Sequence, residues 1–294
     1  MADIQRGGGI EMLTLSAPAK INLTLEVLAD RQDGFHEIRT IIQTIDLSDT
    51  LHFQPGQEIT FSSDLPGWTA EESLVSRTVD LLRQLTGCSQ GAAIELEKRI
   101  PLTAGLGGDS SDAATVLLGL NRLWELNLPL EKLLELARQL GSDVSFFLYG
   151  GTALLEGRGE IVTPLPALPH RWVVLAVPPV PRLPGKTKQL YQSLEANHYT
   201  DGQITQRLVE VLKAGNKFEA SLLFNTFENV AFGLFPGLRV ALEHFTKMGA
   251  ADVHLAGSGP SLFTLIADKA RAEELYFELR KQNMEPFLVE TFPE

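Results

Sequence analysis

Apolar and polar positions alternate through "MLTLSAPAKINLTLEVL", residues 12–28, with β-branched side chains frequent and Pro18 near the middle. Period two predicts strand, and a proline that cannot donate to a ladder splits it into two short strands or one bulged pair. "TIIQTIDLSDTLHFQ" and "EITFSSD" continue in the same style, so the first 65 residues read as mostly β. The period then lengthens. "EESLVSRTVDLLRQLTG" places Leu74, Val75, Val79, Leu81, Leu82 and Leu85 at helical spacing, with Gly87 as the stop. "AAIELEKRI" returns to alternation and predicts a strand, after which a helix is expected from about Ser110 to Trp124. "PLEKLLELARQLG" predicts a further helix ended by Gly141, and Ser142 or Asp143 is placed to cap the next segment.

"TPLPALPH" is the most proline-rich stretch and marks the expected domain boundary. Beyond it, "WVVLAVPP" has the continuous apolar character of a buried strand. Helices are expected around 186–195, 203–213, 216–224 and 236–247, then strand, glycine loop and strand in "ADVHLAGSGPSLFTLIAD". "KARAEELYFELRKQ" predicts a helix and "PFLVETF" a closing strand. The pattern gives an α+β chain in three parts: a leader over 1–11, an N-terminal domain over 12–163 and a C-terminal domain over 170–294.

Composition narrows the function. With 44% hydrophobic and 21% charged residues, the 294-residue chain reads as an ordinary globular protein of about two domains. A net charge of −12 argues against a general nucleic-acid surface, so an anionic ligand would need a locally positive pocket. Cys88 is the only cysteine, which excludes an intramolecular disulfide and a thiolate metal cluster. No apolar run reaches the roughly 20 residues that span a bilayer, and "MADIQRGGGIE" lacks a signal-peptide core. The expectation is a cytoplasmic protein with a small-molecule partner, no nucleic acid and no membrane.

The chemistry concentrates in "RIPLTAGLGGDSSDAATVLLGLN", residues 99–121. It lacks the lysine of GxxxxGK[ST] and the third glycine of GxGxxG. A strand, a glycine-rich loop, two serines and a helix start remain. That arrangement suits an anion, because backbone N–H groups and the helix dipole converge there. It equally suits a tight turn with Ser110 or Ser111 as N-cap. Asp109 discriminates poorly: a like charge about 4 Å away at an effective dielectric near 20 costs roughly 4 kcal/mol. It must therefore face away and hold the loop, or help to hold Mg²⁺. Asp112, one turn in, favours the dipole and can reach backbone or a nucleotide hydroxyl.

Three motifs occur in order: "APAKINLTL" with "DGFHEI", then "PLTAGLGGDSSDAA", then "HLAGSGPSLF". Together they resemble the GHMP small-molecule kinase superfamily, which includes galactokinase, homoserine kinase, mevalonate kinase and phosphomevalonate kinase. "AKINL", "DGFH", the long glycine loop and "GSDVSFF" are most similar to its 4-diphosphocytidyl-2-C-methyl-D-erythritol kinases. The resemblance implies a ribosomal-S5-like N-terminal domain and a ferredoxin-like C-terminal domain. It also implies ATP-dependent phosphorylation of the 2-hydroxyl of a cytidine-diphosphate-linked methylerythritol in non-mevalonate isoprenoid synthesis, with Mg²⁺.

Carried over by position, the resemblance implies Asp143 as catalytic base beside Lys20. ATP would be held by Lys98 and by Pro101, Leu102, Thr103, Ala104, Gly105, Leu106, Gly107, Gly108, Asp109, Ser110, Ser111 and Asp112. Substrate would be held by Asn22, Phe35, His36, Asp143, Thr187, Tyr191, Gly257 and Ser258, with Gly259 completing the third motif. Phe35 and Tyr191 would sandwich the cytosine. The chain departs from the family at Phe35 (commonly tyrosine), Asp109 (commonly glycine) and Ser73 (often asparagine). The competing readings are a sister kinase for phosphomevalonate, homoserine or a sugar, and a non-catalytic small-molecule sensor. Retention of Lys20 and Asp143 argues against the sensor.

Overall fold

A computed structural model describes residues 3–5, 12–181 and 183–292; apart from 3–5, the expected leader lies outside the described residues. The chain begins with β1 (Asp3–Gln5), β2 (Met12–Asp30), β3 (His36–Gly56) and β4 (Ile59–Ser63). Then come α1 (Leu74–Thr86), β5 (Gly91–Glu97), α2 (Gly108–Leu123), α3 (Leu130–Leu140) and α4 (Val144–Phe147). Next are β6 (Thr152–Gly157), β7 (Ile161–Pro164), β8 (Trp172–Val177), α5 (Lys186–Ser193) and α6 (Gln203–Lys213). The chain closes with β9 (Phe224–Asn225), α7 (Glu228–Leu234), α8 (Leu238–Lys247), β10 (His254–Leu255), β11 (Leu262–Ile266), α9 (Lys269–Arg280) and β12 (Glu285–Glu290).

These elements form two compact units interleaved in sequence. One takes the chain up to Ala19, Leu47–Leu102 and Gly107–Tyr149; the other takes Lys20–Asp46, Thr103–Leu106 and Gly150 onward. β2 and β3 are thus shared by position. In the first unit the strand order is β1-β2-β3-β5-β4. β5 runs antiparallel to β3 (Leu51 opposite Leu96) and parallel to β4 (Phe61 opposite Ile94). The helix α1 buries Val75, Val79 and Leu82, and Gly87 ends it in left-handed backbone, as its spacing predicts. Leu85, read as part of the same stripe, is exposed.

In the second unit β9 lies parallel to β2, and β3 pairs with β6, which pairs with β7. A separate sheet has the order β10-β11-β8-β12. Central β8 buries Val173, Val174, Leu175 and Ala176 completely, which is why "WVVLAV" shows no alternation.

Three local expectations are corrected. β2 is one continuous strand through Pro18. The backbone N–H of Lys20 donates to the Leu106 carbonyl, not to β3. Two residues earlier, the proline nitrogen faces the same side, so no β2–β3 bond is lost. The helix expected over 216–224 is instead a 3₁₀ turn at Ala220–Leu222 running into β9. Pairing of Phe224 opposite Thr24 overrides the local pattern there. Finally, α2 starts at Gly108, earlier than Ser110. Gly107, at φ 75°, is its N-cap residue, and no side-chain cap is used. Ser111 and Asp112 therefore lie inside the first turns, fully buried.

Candidate active site

The site grows from an unusual face of β2. Ile21, Leu23, Leu25 and Val27 bury one side of the strand; Lys20, Asn22, Thr24 and Glu26 bury the other. Buried polar groups are tolerable only with partners. Lys20 Nζ donates to Asn22 Oδ1 (2.8 Å), and Asn22 Nδ2 donates to Thr40 Oγ1 of β3 (2.8 Å). Thr205 at the start of α6 donates its hydroxyl to Thr24 Oγ1 (2.9 Å) and its N–H to Glu26 Oε2 (2.6 Å). The stripe is thus cross-braced, and the Lys20 ammonium is held at its end.

Two glycine loops close on that ammonium. Gly105 sits at φ 89°, and a Cβ there would stand 2.1 Å from the Ala256 carbonyl oxygen. A Cβ on Gly257 would stand 2.9 Å from both the Gly105 carbonyl oxygen and Lys20 Nζ. Only hydrogen fits at either position. Lys20 N–H to Leu106 O (2.9 Å) and Ser261 N–H to Ala104 O (3.3 Å) tie the three segments together. Ala104 and Leu106 are buried, whereas Thr103 is exposed, with φ 56°. Pro101, Leu102, Gly107, Gly108 and Ser110 are half-buried.

In the first unit, Asp109 turns onto α1. Its carboxylate accepts the Ser73 hydroxyl (2.5 Å) and the Leu74 N–H (3.1 Å), beside the negative-favouring end of that helix. That contact fastens the start of α2 to α1. Ser73, departing from the family's asparagine, is the other half of the contact and also caps Val75 N–H.

Lys98 is buried between two acids, 2.5 Å from Asp49 Oδ2 and 2.5 Å from Asp112 Oδ2. Asp49 also accepts the N–H groups of Arg99 and Ile100 (2.5 and 2.8 Å), fixing the chain just before the glycine loop. Burial opposes the Lys98 charge, but Asp112 and Asp49 outweigh it and raise its pKa. Burial also pushes Asp112 up, to about 7, against the opposing Lys98 charge. The two shifts pull against each other on one ion pair. Two carboxylates against one ammonium leave a net negative charge, so the lysine stays charged and Asp112 takes the proton as pH falls. Asp143 precedes α4, half-buried, and makes no side-chain cap to that helix.

At the expected cytosine end, Tyr191 stacks on His36 (centroids 4.3 Å apart, planes 21°). His36 Nε2 lies 3.0 Å from Asp30 Oδ1. Phe35 is half-exposed, with the Arg158 guanidinium 4.5 Å above its ring. Tyr191 therefore has His36 as its stacking neighbour, and Phe35 has a cation. Thr187 Oγ1 donates to Ser258 Oγ (3.0 Å), bringing α5 onto the third motif. Sequence reasoning missed Lys186, Asp49, Thr40 and Arg158. The nearest signals were adjacency of Lys186 to Thr187 and the even spacing of polar residues along β2.

The first-unit geometry sets the effect of two substitutions. Lys98→Met leaves two buried carboxylates without their cation and is expected to lose about 3–5 kcal/mol of stability at pH 8. Burial raises the folded Asp112 pKa and the Lys98 charge holds it down, so without Lys98 the carboxyl protonates more readily still and the loss shrinks as pH falls. Urea unfolding at pH 6 and 8 reads the difference; equal losses would contradict it. Asp109→Ala removes the α1 contact and is expected to cost about 1 kcal/mol in the same assay. Its Mg²⁺ dependence of turnover should match the parent, and a shifted dependence would return Asp109 to the metal.

The family model described as GHMP kinases N terminal domain matches residues 73–151, and GHMP kinases C terminal matches 202–285. A 4-diphosphocytidyl-2-C-methyl-D-erythritol kinase of Dehalococcoides mccartyi is 50% identical over 280 residues, covering 95% of this chain and 98% of the relative. Its counterpart in Geobacillus kaustophilus is 38% identical over 272 residues, covering 91% and 93%. A solved 4-(cytidine 5'-diphospho)-2C-methyl-D-erythritol kinase superposes with a TM-score of 0.79 at 34% identity, covering 95% of this chain and 99% of that one. Homoserine kinase from Cytophaga hutchinsonii shares the fold, with a TM-score of 0.74 at 21% identity, covering 99% and 98%. With its three motifs joined at Lys20, Gly105 and Gly257, the chain belongs to the 4-diphosphocytidyl-2-C-methyl-D-erythritol kinase family of GHMP kinases.

Proposed function

We propose that this kinase transfers the γ-phosphoryl group of ATP to the 2-hydroxyl of 4-diphosphocytidyl-2-C-methyl-D-erythritol, in the non-mevalonate route to isoprenoids. The observation that carries the reading is the meeting of both glycine motifs beside the buried Lys20. Phosphoryl transfer needs positioning and charge stabilisation more than covalent chemistry, and a buried ammonium beside two glycine loops supplies both. Residues 12–163 form the ATP-binding half in this reading and 170–294 the C-terminal half, acting on a small molecule in the cytoplasm. Among the described residues no helix is long and apolar enough to cross a membrane.

Asp143 takes the proton of the attacking hydroxyl, and Lys20 offsets the charge that develops. The loop from Pro101 to Asp112 cradles the ATP phosphates with its backbone. Lys98 supports that loop from within the fold, since its ammonium is already held by Asp49 and Asp112. Asn22 orients Lys20, while His36, Tyr191, Phe35 and Thr187 receive the cytidyl end and Gly257 and Ser258 close the phosphate end. Among the described residues no cluster of three or more acids, histidines or cysteines could hold a metal. Mg²⁺ is expected mainly on phosphate oxygens, with one or two chain oxygens. Ser111 Oγ and Asp112 Oδ1, buried without hydrogen-bond partners, are the oxygens available beside the loop. The ion would neutralise phosphate charge.

Purified protein should release ADP with 4-diphosphocytidyl-2-C-methyl-D-erythritol and not with phosphomevalonate or homoserine. The reverse preference would overturn the assignment. Asp143→Asn should fold with an unchanged melting temperature and lose about 10²–10⁴-fold in kcat; near-parental turnover would remove Asp143 as base.

A further inference from the structure

Lys186 opens α5 and is 9% exposed, with its ammonium turned into the third motif. It donates to Ser258 Oγ (2.7 Å), to the Ser258 carbonyl (3.2 Å) and to the Gly259 carbonyl. Every one of these acceptors is neutral. They satisfy its hydrogen bonds without cancelling its charge, which burial makes costly. The charge acting on it is a second cation, Lys20. The two ammonium groups address one loop, Lys20 against Gly257 and Lys186 against the next two residues. Burial first, and Lys20 second, lower the Lys186 pKa to about 7. Lys98 shows the contrast, since two carboxylates hold it and keep it charged.

We propose that Lys186 is a second cation of the site's anion seat, binding the phosphate or diphosphate oxygens of a ligand together with Lys20 across the Gly257–Gly259 loop. A ligand anion is the opposite charge that the neutral acceptors of Lys186 do not supply. On binding, Lys186 gains a negative partner and its pKa rises, so association takes up a proton near neutral pH. The groups facing it are Lys20 from β2, Ser258 from the loop and Thr187 from α5 through Ser258. The inference rests on reading the third motif as the phosphate end of a kinase site.

Inorganic pyrophosphate is the probe, titrated calorimetrically into the full chain at pH 7.5 in buffers of different ionisation enthalpy. From a pKa of about 7, the parent should take up roughly three-quarters of a proton more than Lys186→Met, which cannot titrate. The dissociation constant should rise about tenfold in the variant, which is about 1.4 kcal/mol. Lys186→Gln, which keeps a polar group at Ser258, should behave like Lys186→Met, and Lys186→Arg should retain affinity. Melting curves without pyrophosphate report whether each variant folds. Equal affinity in the parent, Lys186→Met and Lys186→Gln overturns the proposal. So does a weaker affinity with unchanged proton uptake, which would make Lys186 a brace for the loop only. ADP release with the cytidyl substrate is measured alongside. Its absence in the parent would sink the substrate reading while leaving the pyrophosphate result intact.

Discussion

The approach of Gly105 to the Ala256–Gly259 loop, beside the Lys20 ammonium, is the constraint on which the rest of the site depends. The gap has no room for a single methyl group: an added Cβ on Gly105 would lie 2.1 Å from a backbone oxygen. Side chains could rearrange to admit one, but backbone cannot without moving a strand. The two loops and β2 therefore hold one geometry together, with the Lys20 ammonium bonded to Asn22 at their meeting point. A cation held in this way suits charge stabilisation, because reorganisation during a reaction would cost what the charge contributes.

The polar face of β2 explains how an ammonium can be kept there. A strand that buries hydrophobic residues on one side and Lys20, Asn22, Thr24 and Glu26 on the other would be unstable without partners. Thr40 and Thr205 provide them, and each bond in such a network holds the group that makes the next. β9 adds a backbone ladder on the same strand at Thr24 and Leu25. Rigidity at Lys20 is thus inherited from hydrogen bonds placed several residues away.

Much of this was legible in the sequence, though unevenly. The helix over Leu74–Thr86 carried both a periodic stripe and a glycine stop, and β8 its unbroken apolar run; such signals are local and survived. Residues 216–224 had helical spacing and no stop signal, and a pairing from far along the chain decided otherwise. Among site residues, Lys20, Gly105 and Gly257 were recognisable through their motifs. Asp109 could be placed only as facing away or holding metal, because its partner Ser73 lies thirty-six positions distant. Lys98 read as a residue that holds ATP, since nothing near it in sequence announces Asp49. Spacing along a chain reports what one element presents, not what another brings to it.

The lysines make that limit physical. In a chain of net charge −12 a cation is usually surrounded by acids, so a buried lysine alone says little. Its partners say more. Lys98 is matched by two carboxylates and acts as a brace, pinning the chain before the loop to α2. Lys186 is matched by a hydroxyl and two carbonyl oxygens, which accept its hydrogen bonds but offer no opposite charge to hold it protonated beside Lys20. Structural stability alone would favour an uncharged side chain at such a position. An ionisable amine kept where folding does not require it is kept for something that arrives later, and a phosphoryl group or its donor is anionic.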